Sequence, residues 1–184
     1  MAELIIGGAR SGKSAHAERL ALQAEAQGYQ VIYLATAQAG DGEMVRRVAH
    51  HRQRRPAHWL TLEETLHLAR ALEAQATPAT CLLVDCLTLW LTNLFFAGQA
   101  GLQAEAGEAL ACPLLRGEIQ ALLEVLARLP GRIILVSNEV GWGIVPMERL
   151  SRAFADEQGR LNQQVAAVCE RVTLVAAGLA LRLK

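Results

Sequence analysis

Apolar residues along this chain gather into short unbroken runs, separated by longer stretches in which apolar and polar positions mix with helical spacing. Leu4-Ile5-Ile6, Val31-Ile32-Tyr33-Leu34, Cys81-Leu82-Leu83-Val84 and Ile133-Ile134-Leu135-Val136 are four such runs. Their length and β-branched content read as strands buried on both faces. Between them, residues 14–27 are rich in helix formers. Residues 43–54 read as a helix that follows Gly40-Asp41-Gly42 and is closed by Pro56. Thr61-Leu62-Glu63-Glu64 has the T-x-x-E spacing of a capping box, predicting a helix from there to about residue 73. Residues 114–129 form an amphipathic pattern stopped by Pro130-Gly131, and 147–170 are mostly helical. Residues 172–175 and 179–183 read as terminal strands, and 97–113, with several Gly and Ala and no strong period, as a loop. No repeat or linker divides residues 1–184, so one domain is expected. Strands alternating with helices predict a three-layer α/β/α fold with a mainly parallel sheet. Functional groups then lie at the carboxyl ends of the strands.

The first such end carries Gly7-Gly8-Ala9-Arg10-Ser11-Gly12-Lys13-Ser14, which is G-x-x-x-x-G-K-S. Strand, glycine-rich turn and helix N-terminus together make an anion site of P-loop NTPase type. The glycines let consecutive N–H groups point inward at phosphate oxygens. Lys13 can reach the β/γ-phosphates, and the Ser14 hydroxyl can ligate Mg²⁺. The chain has 18 basic residues, yet only Lys13 and Lys184 are lysines. An arginine-biased sequence thus places a compact point charge where phosphates would sit.

Composition narrows the classes. A length of 184 residues suits a single α/β domain, and 52% hydrophobic content supports a large core. Zero formal net charge argues against a nucleic-acid surface. Cys81, Cys86, Cys112 and Cys169 have neither C-x-x-C nor zinc spacing, and read as reduced core residues of a cytoplasmic protein. The first strand begins almost at Met1, so no signal peptide is expected. Residues 81–96 are the most apolar stretch, but Asp85, Thr88, Thr92 and Asn93 interrupt it, which speaks against a membrane span.

Two further features carry chemistry. Asp85 follows an apolar strand as a Walker-B acid does, where it would hold Mg²⁺ opposite Ser14; the alternative is an ordinary strand-end or helix-cap aspartate. Residues 46–55 hold five arginines and the pair His50-His51. That run reads as a solvated helix face, a nucleic-acid patch, or a cradle for a nucleotide triphosphate. No aromatics are interleaved, which weakens the second reading. On a helix, His51 lies near the direction of Met44 and Val48, at the edge of the apolar face, while His50 projects from the polar side. Arg47 and Arg55 are the i−4 and i+4 neighbours of His51, although Pro56 disfavours helical geometry at Arg55. Cationic neighbours favour neutral imidazole, the nucleophilic form. Adjacent histidines splay apart, and His51 and His58 lack metal-ligand spacing.

Read together, GGARSGKS, Tyr33-Leu34-Ala35-Thr36, H-H-x-x-x-R-P-x-x-W-x-T-x-E at 50–63 and N-E-V-G-x-G-I-V-P at 138–146 closely resemble the bifunctional adenosylcobinamide kinase / adenosylcobinamide-phosphate guanylyltransferase family of cobalamin biosynthesis. The resemblance spans almost the whole chain and carries nothing onto residues 97–113. It implies phosphorylation of the aminopropanol hydroxyl of adenosylcobinamide by ATP or GTP. GMP transfer from GTP to that phosphate would follow, through a covalent guanylyl-histidine. By resemblance His51 takes the guanylyl group, and Ala35, Thr36, Ala37, Arg52, Gln53, Arg54, Arg55, Glu63 and Asp85 contact nucleotide beside the P-loop residues. Where the family often has Glu at the strand end, this chain has Asp85. The resemblance further implies Mg²⁺ with GTP or ATP as substrates and no bound prosthetic group. It also implies a homotrimer, with a corrinoid as the other substrate. From the residues alone the reading stops at a Mg-nucleotide enzyme with a possible histidine nucleophile. The rivals are a monofunctional P-loop small-molecule kinase, in which His51 would be structural, and a regulatory GTP switch, which the lack of an N-K-x-D motif opposes.

Overall fold

Among the described residues, seven strands run side by side in one sheet: β1 (Ala2–Gly7), β2 (Gln30–Ala35), β3 (Leu60–Glu63), β4 (Thr80–Asp85), β5 (Arg132–Asn138), β6 (Arg171–Ala176) and β7 (Leu179–Arg182). The computed structural model describes residues 1–37 and 56–184. The strand order is β3-β2-β4-β5-β1-β6-β7, and every pairing is parallel except β6 with β7. The four strands expected from apolar runs all form, and so does the terminal pair. Ala177 (φ 51°) and Gly178 (φ 79°) make the tight turn between β6 and β7, the positive-φ geometry that a two-residue hairpin needs.

Six helices are described: α1 (Lys13–Ala26), α2 (Leu68–Gln75), α3 (Leu87–Ala97), α4 (Ala100–Ala106), α5 (Pro113–Leu126) and α6 (Arg149–Val168). They divide unequally between the faces. Ala17, Ala21 and Ala24 of α1 pack with Ile5, Tyr33, Leu83, Ile134 and Val136 on one face. Buried residues of α2 through α6 pack with Leu4, Leu34, Leu82, Val84 and Leu135 on the other. The crossover from β1 to β2 runs one way along the sheet; those from β3 to β4, β4 to β5 and β5 to β6 run the opposite way. A single crossover hand then sends their helices to opposite faces. β1 and β5 are neighbours whose following segments leave on opposite sides, so a crevice opens at their carboxyl ends.

Two expectations are corrected. Residues 60–63 form β3, pairing with β2 from Ile32↔Leu60 to Ala35↔Glu63, and the helix starts only at Leu68. The Thr61 spacing matched a capping box, but sheet pairing claims those residues. Glu64 instead holds the turn ahead of the helix, its Oε1 accepting the N–H groups of Leu66 (2.8 Å) and His67 (2.9 Å), and the helix itself has no side-chain cap. Residues 100–106, expected as loop, are α4. Its buried side is Ala100, Gly101 and Ala104, too small to register as an apolar period. The helix expected over residues 43–54 lies outside the described residues. All four cysteines are buried free thiols. No described helix is long and apolar enough to cross a membrane.

Arg116 of α5 donates to both carboxylate oxygens of Glu157 on α6 (2.6 and 3.1 Å), and Arg160 donates to the same carboxylate. Glu157 is only 1% exposed. Burial alone would raise its pKa, but the hydrogen bonds and charges of the two arginines outweigh that and hold it below the ordinary value. A folded-state pKa below the unfolded one contributes stability above the unfolded pKa that is lost as pH falls through the folded value. Arg116→Met, which leaves the carboxylate with Arg160 alone, is expected to cost about 1–2 kcal/mol at pH 7, below the figure for a fully stranded charge because Arg160 remains and Arg116 is half exposed. In urea melts against wild type the deficit is widest at neutral pH and narrows on acidification; a deficit independent of pH would show that Arg116 acts by packing alone.

Candidate active site

Gly7 closes β1 and opens the loop. A Cβ there would lie 2.3 Å from the Val175 carbonyl oxygen and 2.7 Å from Ser11 Oγ, so no other residue fits. Gly12 has φ +94°, and a Cβ on it would come within 3.2 Å of Gly178 Cα. The Gly178 N–H donates to the Ser11 carbonyl (2.8 Å), so the β6–β7 turn braces the loop from outside. Gly12 is also the cap residue of α1, which has no side-chain cap and no acidic residue in its first turn. The amides and positive dipole end of α1 are therefore left for an anion. Lys13 begins the helix, is 9% exposed, and its Nζ donates to the Gly8 carbonyl (3.1 Å). Burial lowers its pKa from the usual lysine value, against the raising influence of Cys86 and Asp85, whose charge reaches it. Ser11 Oγ is buried with no hydrogen-bond partner among the described residues.

Across the sheet, register aligns three of the expected positions in one row. Glu63 pairs with Ala35, and Ala35 with Asp85. Asp85 in turn pairs with Val136 of β5, the strand beside the P-loop strand. The Tyr33 hydroxyl donates to Asp85 Oδ2 (3.1 Å). Thr36 is fully buried and wholly engaged. Its Oγ1 donates to the Cys86 carbonyl (2.7 Å) and accepts the Cys86 N–H (2.9 Å). Its own carbonyl accepts from Asn93 Nδ2 (2.8 Å), which also bonds the Thr65 carbonyl (3.1 Å). The chain ends leaving β2, β3 and β4 are thus tied together under the row, with Ala37 following directly.

Sequence reasoning used the end of β5 as part of the family resemblance but gave its residues no role. Ser137 Oγ donates to Asn162 Oδ1 (2.6 Å), and Gln158 Nε2 donates to both (3.0 and 3.1 Å), a buried amide–hydroxyl cluster under the strand end. The Glu139 N–H donates to the Gly7 carbonyl (3.1 Å), joining β5 to the P-loop. Beyond it the chain is apolar and open to solvent: Trp142 is 72% exposed and Ile144 97%. The available signal was positional, since polar residues at the carboxyl end of a buried strand sit where α/β folds bind ligands.

His50, His51, Arg52, Gln53, Arg54 and Arg55 lie outside the described residues. Just after them, Trp59 is buried, and its Nε1 donates to Glu25 Oε1 on α1 (3.0 Å), beside His58 Nε2 (2.6 Å from the same oxygen). Among the described residues no three His, Cys, Asp or Glu side chains gather as a metal cage.

A family model described as cobinamide kinase / cobinamide phosphate guanyltransferase matches residues 3–183. The bifunctional adenosylcobalamin biosynthesis protein CobP of Pseudomonas aeruginosa is 57% identical over 184 residues, covering 100% of this chain and 98% of the relative. The corresponding CobU of Escherichia coli is 43% identical over 182 residues, covering 98% of each. Among solved structures, the flagellar accessory protein FlaH of Methanocaldococcus jannaschii aligns with a TM-score of 0.55 at 13% identity, over 100% of this chain and 77% of that one. An ATPase of a bacterial type III secretion system aligns with a TM-score of 0.56 at 15% identity, over 98% of this chain and 56% of that one. At such identities the likeness speaks for the fold alone.

Thr36→Val keeps the shape of the side chain but strands the buried Cys86 N–H. The expected cost is about 1–3 kcal/mol, or about 2–4 °C in Tm for each kcal/mol in a chain of this size. Thr36→Ser keeps the hydroxyl and should retain most of the stability. Thermal melts of the two variants decide it, and equal Tm values would mean that the Thr36 hydroxyl does not hold the strand ends.

Proposed function

The chain belongs to the cobinamide kinase / cobinamide phosphate guanyltransferase family, and on that premise we propose that it runs its two reactions around the P-loop, with His51 as the guanylyl carrier. It is a bifunctional adenosylcobinamide kinase and adenosylcobinamide-phosphate guanylyltransferase. The observation that carries the residue assignment is the uncapped N-terminus of α1 with Lys13 buried upon it, within reach of the charge of Asp85.

In the first reaction the hydroxyl oxygen of adenosylcobinamide attacks the γ-phosphorus of ATP or GTP. The loop amides from Gly8 to Ser14 cradle the phosphates, and Lys13 meets the β/γ-oxygens. Phosphoryl transfer asks chiefly for positioning and charge neutralisation, which such a cradle supplies. Ser14 and Asp85 offer the hard oxygen donors that Mg²⁺ takes, and Mg²⁺ is commonly held by one or two carboxylates plus substrate phosphates rather than by a protein cage. When bound it would neutralise charge on the β- and γ-oxygens. The row of Glu63, Ala35 and Asp85, with Thr36 and Ala37 behind it, supports the reading that this edge contacts nucleotide. In the second reaction an imidazole nitrogen of His51 attacks the α-phosphorus of GTP and pyrophosphate leaves. A phosphate oxygen of the corrinoid then attacks that phosphorus, and the P–N bond breaks to free His51. Imidazole suits this because it is both nucleophile and leaving group. Arg52 to Arg55 would hold the phosphates of the GTP being cleaved. The resemblance also supports a homotrimer in the cytoplasm.

The decisive measurement is intact-protein mass after incubation with GTP and Mg²⁺, before and after mild acid. Wild type and His50→Ala should gain the mass of one GMP, lost in acid as a phosphoramidate is; His51→Ala should gain none while retaining part of its kinase activity. A GMP adduct on His51→Ala, or one that survives acid, removes His51 from the mechanism.

Asp85→Asn should raise the Mg²⁺ concentration needed for half-maximal kinase activity by about tenfold or more, with little change in Tm. An unaltered Mg²⁺ titration with a collapsed Tm would make Asp85 a structural residue.

A further inference from the structure

Asn138 ends β5, and its main chain is clamped from three sides. Its N–H donates to Thr88 Oγ1 on α3 (2.9 Å), its carbonyl accepts from Asn162 Nδ2 on α6 (2.9 Å), and the next N–H, of Glu139, donates to the Gly7 carbonyl (3.1 Å). Asn162 is itself fixed by Ser137 and Gln158. The side chain is treated differently. Asn138 Oδ1 is shut off from solvent and has no hydrogen-bond partner among the described residues. Buried polar atoms are nearly always paired, and an orphan held in a rigid setting asks for a ligand.

Its position says which one. Ile134 and Val136 face α1, while Ser137 faces α6. Strand alternation therefore puts Asn138 on the face of α1 and Lys13. It is register-paired with Gly7 and lies two residues beyond Val136, the partner of Asp85. So Asn138 stands between the P-loop strand and the strand carrying the acid. A carboxamide oxygen only accepts hydrogen bonds. Phosphate oxygens only accept too, so Oδ1 does not serve the nucleotide phosphates; it needs a donor. On the family reading, on which this inference rests, the kinase reaction brings one: the aminopropanol hydroxyl of the corrinoid. The chain just beyond Asn138 suits that approach. Trp142, Ile144, Val145 and Met147 are exposed, an apolar rim beside a polar floor, as a macrocycle carrying a reactive hydroxyl would require.

We propose that Asn138 Oδ1 accepts the hydrogen bond of the acceptor hydroxyl and thereby aims its oxygen at the γ-phosphorus. The new O–P bond forms as the bond from the γ-phosphorus to the β,γ-bridging oxygen breaks. The nucleoside diphosphate leaves with that electron pair, and the hydroxyl proton passes to a transferred phosphoryl oxygen and then to solvent. Asn138 orients the O–H group and takes no proton.

The two half-reactions separate this role from a structural one. GMP transfer uses a corrinoid that is already phosphorylated, so its acceptor is a phosphate and not a hydroxyl. Asn138→Ala and the similarly sized Asn138→Leu should lower kcat/KM for adenosylcobinamide phosphorylation by about 10²-fold. Guanylyl transfer to adenosylcobinamide phosphate and the Kd of a fluorescent GTP analogue should stay within about twofold of wild type. Asn138→Leu, which removes an orphaned acceptor, should melt no lower than wild type. Equal loss in both half-reactions, a weakened Kd, or an undiminished kinase rate each overturns the proposal; so does loss of guanylyl transfer alone. A wild-type protein that fails to phosphorylate adenosylcobinamide would instead overturn the family reading beneath it.

Discussion

Between Gly7 and Lys13 the backbone must turn its N–H groups toward one point while no side chain fills the space they enclose. That demand leaves the loop unable to hold itself. It has few side chains of its own to pack, and its helix starts without a cap. The support comes from outside. β1 is flanked by β5 and β6, the Val175 carbonyl presses on Gly7, and the Gly178 amide anchors Ser11. Much of the remaining architecture serves these braces. The Ser137–Gln158–Asn162 cluster fixes the end of β5, and the Arg116–Glu157 pair holds α6, which supplies two members of that cluster. Among the described residues, five helices on one face and α1 on the other follow from the direction in which each crossover runs.

The parts of this design that were legible in the sequence are those with a local signature. Strands buried on both faces write themselves as unbroken apolar runs, and G-x-x-x-x-G-K-S announces its own turn. Misreadings arose where non-local pairing overrode a local pattern. Thr61 and Glu64 have the spacing of a capping box, yet residues 60–63 lie along β2, which no nearby residue reveals. α4 stayed hidden because its buried face consists of Ala100, Gly101 and Ala104, chosen for closeness of approach rather than for hydropathy. Ser137 and Asn138 were visible as polar residues at a strand end. That one is paired and the other carries an orphaned oxygen depends on α6, which arrives from far along the chain. The reading of His51 and its arginines rests on sequence alone.

Polar and apolar tasks are kept apart at the carboxyl edge of the sheet. The side chains under the edge, of Thr36, Thr88, Asn93 and Asn162, spend hydrogen bonds on the main chain of Cys86, Asn138 and Thr36 at the strand ends, which therefore keep their positions with little freedom. The apolar residues after Glu139 do the opposite. They leave Trp142, Ile144 and Met147 in water, a standing cost that a folded chain does not need for its own stability. A rigid floor with an adaptable rim is suited to one small invariant ligand and one large one.

The strand order also sets a timetable for the chain as it is made. β1 precedes the other described elements along the chain, but its neighbours in the sheet are β5 and β6, and the turn that anchors Ser11 comes only after β6. At about 5–20 residues per second, synthesis of this chain takes on the order of 10–40 s. Until β5 has been made, the apolar first strand has no neighbour to pair with. Nucleotide cannot rescue the nascent chain early, because the loop that would bind it is braced only once the β6–β7 turn has been made. Before β5 emerges, Leu4, Ile5 and Ile6 must be shielded from other chains by something other than their own sheet.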